Sequence, residues 1–182
     1  MSTRVSKLNR ARLNSLFVNS LGNAVLKVEN LNEKPLLLDL GRPYPLRLRV
    51  YLYNCTNPPG GRALDEYKIQ LIVPNQKRRS RANFDYSDGR MALLGAYVRL
   101  SEEIENGVFV LWDATKHNDF SYSANIQVKS ETIIEALCIP VAIGLRGNNE
   151  VVVASRPQHL LSAIEKRMDI MIRNIQEESY EA

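Results

Sequence analysis

The chain has 182 residues, enough for one domain with a real core and too few for two comfortable ones. Its 45% hydrophobic and 24% charged content is ordinary for a soluble globular protein, and no apolar run reaches the roughly 20 residues that span a bilayer, so no membrane association is expected. The net charge of +4 is modest but uneven: "KRRSR" at 77–81 carries four cations in five residues, a local excess of the kind that attracts a phosphate backbone or simply solvates a loop.

The first predicted element is a helix over residues 6–21, where Leu13, Leu16, Phe17, Ser20 and Leu21 recur at helical spacing and Gly22 is placed to end it. Arg4, Lys7, Arg10 and Arg12 make this segment basic. "PLLLDL" and "LRLRVYLYN" then read as strands. The second alternates Leu46, Leu48, Val50 and Leu52 on one face with Arg47, Arg49, Tyr51 and Tyr53 on the other. That second face is either a polynucleotide surface or the wet side of an antiparallel sheet.

"NCTNPPGGRALD" is a loop by composition, "EYKIQLIV" a strand, and "PNQKRRSRAN" a basic loop. Strands follow at "MALLGAYVRL", "GVFVLWD" and "ANIQVK". "SETIIEALC" is predicted to be a short helix capped by Ser130, and "EVVVASR" a late strand. A second long helix is expected over 157–176, with Pro157 in its first turn and an apolar stripe of Leu160, Leu161, Ile164, Met168, Met171 and Ile175. The outcome is one α+β domain over residues 1–182, strand-rich between two helices, with no internal linker.

The chemistry of this pattern is sparse. Cys55 and Cys138 have no CxxC spacing and no neighbouring His, which predicts reduced thiols in the cytoplasm and no zinc or other cofactor. There is no nucleophile elbow, phosphate loop or dinucleotide fingerprint, and His117 and His159 are the only histidines. One catalytic pattern presents itself. Asp113 ends a strand and Gln127-Val-Lys129 lies on the next, as in Mg²⁺-dependent restriction-type nucleases, although the neutral oxygen of Gln127 is a poorer Mg²⁺ ligand than a carboxylate. The same stretch suits a reader of DNA: Asn and Gln pair with adenine edges and Lys with guanine. Asn125, Gln127 and Lys129 share one face of their strand, after a loop with Lys116, His117, Tyr122 and Ser123. Asp113 and His117 are expected to tie that turn through side-chain to backbone bonds.

Taken in order and spacing, "RVYLYNCTNPPGGRALDEYKIQL", "FVLWDATKH", "SYSANIQVKSETI" and "RGNNEVVVASRPQHL" resemble an N-terminal module of prokaryotic restriction endonucleases. There the module precedes a separate nuclease domain, often of the His-Asn-His type. The resemblance covers most of residues 45–161. It implies a DNA-recognition role and an open pseudobarrel of strands flanked by the N- and C-terminal helices. It also implies that residues 116–129, the loop at 60–62 and "RGNN" at 146–149 lie near the recognition surface.

No His-Asn-His segment occurs before Ala182, so cleavage by this chain alone is not expected. The expected partner is double-stranded DNA, with a nuclease domain or subunit alongside. Phosphate contacts are assigned to Lys77, Arg78, Arg79 and Arg81, with Arg47 and Arg49 as weaker candidates. Base contacts are assigned to Arg62, Lys116, Asn125 and Arg146, with His117, Tyr122, Gln127, Lys129 and Asn148 on the same surface. The alternative function is a Mg²⁺-dependent nuclease using Asp113, Gln127 and Lys129.

Overall fold

A computed structural model describes residues 5–57 and 63–182. Helix α1 (Arg10–Leu21) opens at Asn9, whose side chain accepts the Arg12 N–H at 2.9 Å, and stops at Gly22, where φ is 53°. The strands β1 (Val25–Val28), β2 (Leu36–Leu40), β3 (Leu46–Asn54), β4 (Glu66–Leu71), β5 (Arg81–Ala82), β6 (Met91–Arg99), β7 (Gly107–Trp112), β8 (Phe120–Ser121) and β9 (Ala124–Lys129) follow in turn. Helix α2 (Ser130–Cys138), strands β10 (Ala142–Leu145) and β11 (Val151–Ser155), and helix α3 (Leu160–Glu181) complete the chain. A 3-10 turn at Pro157–His159 leads into α3.

Seven strands form one open sheet in the order β1-β2-β3-β6-β7-β11-β10. All neighbours are antiparallel except β3 and β6, which run parallel with Leu48 opposite Met91 and Asn54 opposite Tyr97. Two ribbons, β4-β9 and β5-β8, stand apart from this sheet. The α+β class and the flanking terminal helices are those expected, and among the described residues the sheet closes into no barrel. Strands β1, β5, β8 and β10 carry too few alternating residues to announce themselves in sequence, and β5 falls inside the stretch read as a basic loop.

Both faces of the sheet are covered, and this explains the continuous apolar runs of its central strands. On one face Leu48, Val50, Leu52, Tyr97, Phe109 and Leu111 pack beneath α1 and α3. On the other, Tyr51, Leu94, Val110, Trp112 and Ala154 pack beneath the β4-β9 ribbon and α2. The ribbon is fastened to the sheet at two points by aromatic side chains with polar tips. The Trp112 indole N–H donates to the Gln127 carbonyl at 3.0 Å, and the Tyr53 hydroxyl donates to the Ile72 carbonyl at 2.9 Å.

Two expectations fail here. Beyond the exposed Arg47, the second face of β3 is not solvated: the segment 84–88 lies over Arg49 and Tyr51 and the ribbon layer over Tyr53, and all three are buried. Ser130 does not cap α2 with its side chain; it is the first helical residue, and its N–H donates to the Asp65 carbonyl at 2.7 Å.

Lys34 lies beside the same layer. Its Nζ donates to the Ile72 carbonyl at 2.8 Å and lies 3.6 Å from the Tyr53 ring centroid. Burial, and secondarily the charge of Arg10, lowers its pKa to about 7. The folded pKa is thus below the unfolded one, so the unfolded chain binds more protons between about pH 7 and the ordinary lysine value, and stability rises with pH through that window. Lys34→Met is therefore expected to raise Tm by about 2–4 °C near pH 6, as for a gain of about 1 kcal/mol, and by less near pH 9. Thermal unfolding at the two pH values checks this. A gain that does not shrink with pH would contradict a burdened ammonium.

Candidate nucleic-acid interface

The β4-β9 ribbon divides its side chains cleanly. Ile69, Leu71, Ile126 and Val128 enter the core, while Glu66, Lys68 and Gln70 on β4 and Asn125, Gln127 and Lys129 on β9 occupy the other face. Residues directly opposite in the ladder share a face, giving the cross-strand pairs Glu66–Lys129, Lys68–Gln127 and Gln70–Asn125. Lys68 Nζ donates to Asn125 Oδ1 at 3.2 Å. Lys129 Nζ binds Glu66 at 2.9 Å and Asp65 at 3.3 Å, and these bonds raise its pKa.

The Gln70–Asn125 end of the ribbon adjoins the basic loop. Ser80 folds residues 77–80 into a tight turn: its hydroxyl accepts the Lys77 N–H at 3.0 Å and donates to the Lys77 carbonyl at 2.7 Å. Lys77, Arg78 and Arg79 are left exposed, and none of them pairs with a carboxylate of the described residues. Arg81 differs, forming an exposed pair with Asp119 at 2.8 Å where β5 meets β8. Lys116 is exposed in the same neighbourhood, and Tyr122 lies half-buried in the turn between β8 and β9.

At the Glu66–Lys129 end lies a groove of about 300 Å³ between β9 and the turn joining β10 to β11. Gln127, Lys129, Arg146 and Asn148 line it, so four residues singled out in the sequence converge here. Arg146 donates to Gln127 Oε1 at 3.1 Å and to Glu150. Asn148 Oδ1 accepts the Glu150 N–H at 3.1 Å and holds the turn.

Behind the groove, Glu150 is fully buried and fully engaged. One oxygen accepts from the Asp113 N–H at 3.1 Å and contacts His117 Nε2 at 2.8 Å, while the other accepts from Arg146. Burial pushes its pKa up, but the His117 and Arg146 contacts together outweigh this and hold it below the usual glutamate value. Asp113, also buried, accepts from the Thr115 N–H and hydroxyl at 3.0 and 2.6 Å and faces Arg167 of α3 at 3.6 Å. Arg167 donates to the Val151 carbonyl.

This geometry revises several assignments. Asp113 ties its turn as expected, but His117 spends its side chain on Glu150 and is nearly buried, so it is not free to meet DNA. Arg49 donates to the Asp85 and Ser87 carbonyls at 2.8 and 3.2 Å and pairs with Asp85, which removes it from any phosphate role. Arg47 is exposed but lies 3.7 Å from Asp39 and donates to the Asp88 carbonyl. Arg62 lies outside the described residues.

The nuclease triplet does not assemble: Asp113 is turned to Thr115 and Arg167, Gln127 to Arg146, and Lys129 to Asp65 and Glu66. Among the described residues no group of three or more His, Cys, Asp or Glu is placed to hold a metal ion. Sequence reasoning misses Lys68 and Gln70, although the alternation of "EYKIQL" puts them opposite its apolar face. Glu150 and Arg167 leave no local signal at all. The sequence also gives no sign of the apolar side chains exposed at Ile134, Leu137 and Ile139 on and after α2 and at Ile143 and Leu145 on edge strand β10.

An open mixed sheet carrying an exposed polar ribbon defines an α+β domain with a surface site. The chain belongs to the Methylase-associated X1 (MTaX1) family, whose profile matches residues 46–164. The match takes in the ribbon, the basic loop, the groove and the start of α3, and the family's name ties it to methylases. Comparison with curated proteins and with solved structures returns no match. No helix among the described residues is long and apolar enough to cross a membrane.

Proposed function

We propose that this chain binds double-stranded DNA as the specificity module of a restriction-modification or related defence system, acting in the cytoplasm beside a methylase and a nuclease domain or subunit. The observation that carries the proposal is the outward face of the β4-β9 ribbon, which sets Lys68, Gln70, Asn125 and Gln127 in cross-strand pairs. A two-stranded ribbon fits the major groove, and amide and ammonium groups are those that pair with adenine and guanine edges there. Lys77, Arg78 and Arg79 at one end of the ribbon supply the phosphate contacts that set register, with Arg81 and Lys116 beside them. On this reading the open sheet with its appended ribbon takes the part of the pseudobarrel in restriction-enzyme recognition domains.

The proposal is tested by the salt dependence of duplex binding. Neutralising Lys77, Arg78 and Arg79 together should flatten the log–log salt slope by about 0.9 for each phosphate that no longer meets a cation, and weaken cognate and random duplexes alike. An unchanged slope in the triple variant would reduce the cluster to a solvated turn and leave the proposal without its phosphate grip.

A further inference from the structure

We propose that the groove beside the ribbon receives one extrahelical nucleobase whose Watson–Crick edge sets an exocyclic amine beside an unprotonated ring nitrogen, cytosine or adenine, from the bound duplex. This rests on the DNA-binding reading above and extends it from groove readout to capture of a base.

The groove is built from two unlike surfaces. Its deep part is Val128, Val152 and Thr132, all buried, which offers apolar contact to the face of a planar ring. Its rim carries hydrogen-bonding groups of both kinds. Glu66 is a carboxylate acceptor suited to an amino group, and the Gln127 amide and Arg146 guanidinium are donors suited to ring nitrogens and carbonyls. At about 300 Å³ the space is at the small end of ligand sites.

The rim is also pre-set. Arg146 is clamped between Gln127 and the buried Glu150, so its guanidinium is oriented before any ligand arrives. Close approach of β10 to α2 shapes the far wall: a Cβ at Gly144 would lie 2.2 Å from Thr132 Oγ1, so only glycine allows this spacing. Gln127 belongs to both the ribbon face and the groove, which makes the two surfaces continuous. A base leaving the stack beneath the ribbon therefore has the groove directly beside it. Enzymes and readers that take a base out of the stack need such a pocket next to their duplex grip.

The test uses the full chain and fluorescent duplexes that are fully paired or carry one unpaired cytosine, adenine or thymine. An unpaired base has its unpairing cost already met, so less is left to take it out of the stack. Duplexes with unpaired cytosine or adenine should therefore bind about tenfold tighter than the paired duplex or more, and those with unpaired thymine should gain less. Gly147 has open space around an added Cβ and Leu145 is largely exposed, so Gly147→Trp and Leu145→Trp can each fill the groove without disturbing the core. Either variant should remove the preference while holding the paired duplex within about twofold of its original affinity. Binding of paired duplex with no preference for the unpaired base overturns the capture site and leaves the ribbon reading standing. A preference that survives both tryptophans, or an equal gain for thymine, also overturns it. Failure to bind any duplex overturns both readings together.

Discussion

Glu150→Ala should destabilise the fold by about 3–5 kcal/mol, because it leaves the partners of a buried, hydrogen-bonded carboxylate uncompensated. The Asp113 N–H and His117 would each lose their Glu150 partner, and Arg146 would be held by Gln127 alone. Chemical denaturation of the two proteins measures this. A loss below about 1 kcal/mol, the range of an exposed ion pair, would mean that the network is not closed to water.

The same carboxylate sets a pH dependence whose sign follows from its lowered folded pKa. A depressed carboxylate contributes stability that is fully present above its unfolded pKa and is lost as pH falls through the folded one. Glu150→Gln keeps the shape and removes the charge. The gap in stability between wild type and Glu150→Gln should therefore be widest near pH 7 and narrow as the pH falls below the ordinary glutamate value. A gap that stays constant over that range would assign the effect to packing and not to charge.

The second large effect is on discrimination. Asn125→Ala combined with Gln127→Ala should remove about 1–3 kcal/mol of preference for cognate over mismatched duplex for each base pair read, a factor of roughly 5 to 150. Binding to random DNA should change little, since the phosphate contacts proposed for Lys77, Arg78 and Arg79 are untouched. Adding Gln70→Ala, opposite Asn125, should deepen the loss less than additively if the two amides read one base pair together. Equal losses on cognate and random DNA would mean that the ribbon positions the protein without reading sequence.

Much of the architecture is local and legible in the sequence. The spacing of Leu13, Leu16, Phe17 and Leu21 predicts α1, the Gly22 stop is realised, and the stripe from Leu160 to Met171 predicts α3. The alternation of "ANIQVK" places Asn125, Gln127 and Lys129 on one face and Ile126 and Val128 in the core. These features follow from the fixed periods of helix and strand, which act over neighbouring residues.

Four facts depended on the tertiary structure. A one-sided pattern in "LRLRVYLYN" cannot reveal that the segment 84–88 lies over Arg49 and Tyr51 and the ribbon layer over Tyr53. The parallel pairing of β3 with β6 leaves no mark in either strand. His117 looks like a free loop residue until Glu150 is brought to 2.8 Å from its ring. Asp113 and Lys129 look like parts of one metal site until the fold gives each a different partner. In every case the deciding term, whether desolvation, charge pairing or a backbone ladder, joins residues remote in the chain, and those energies exist only once the layers have packed. Short-range periodicity therefore determined which faces are apolar, while long-range packing decided which polar groups are used up inside and which remain for a ligand.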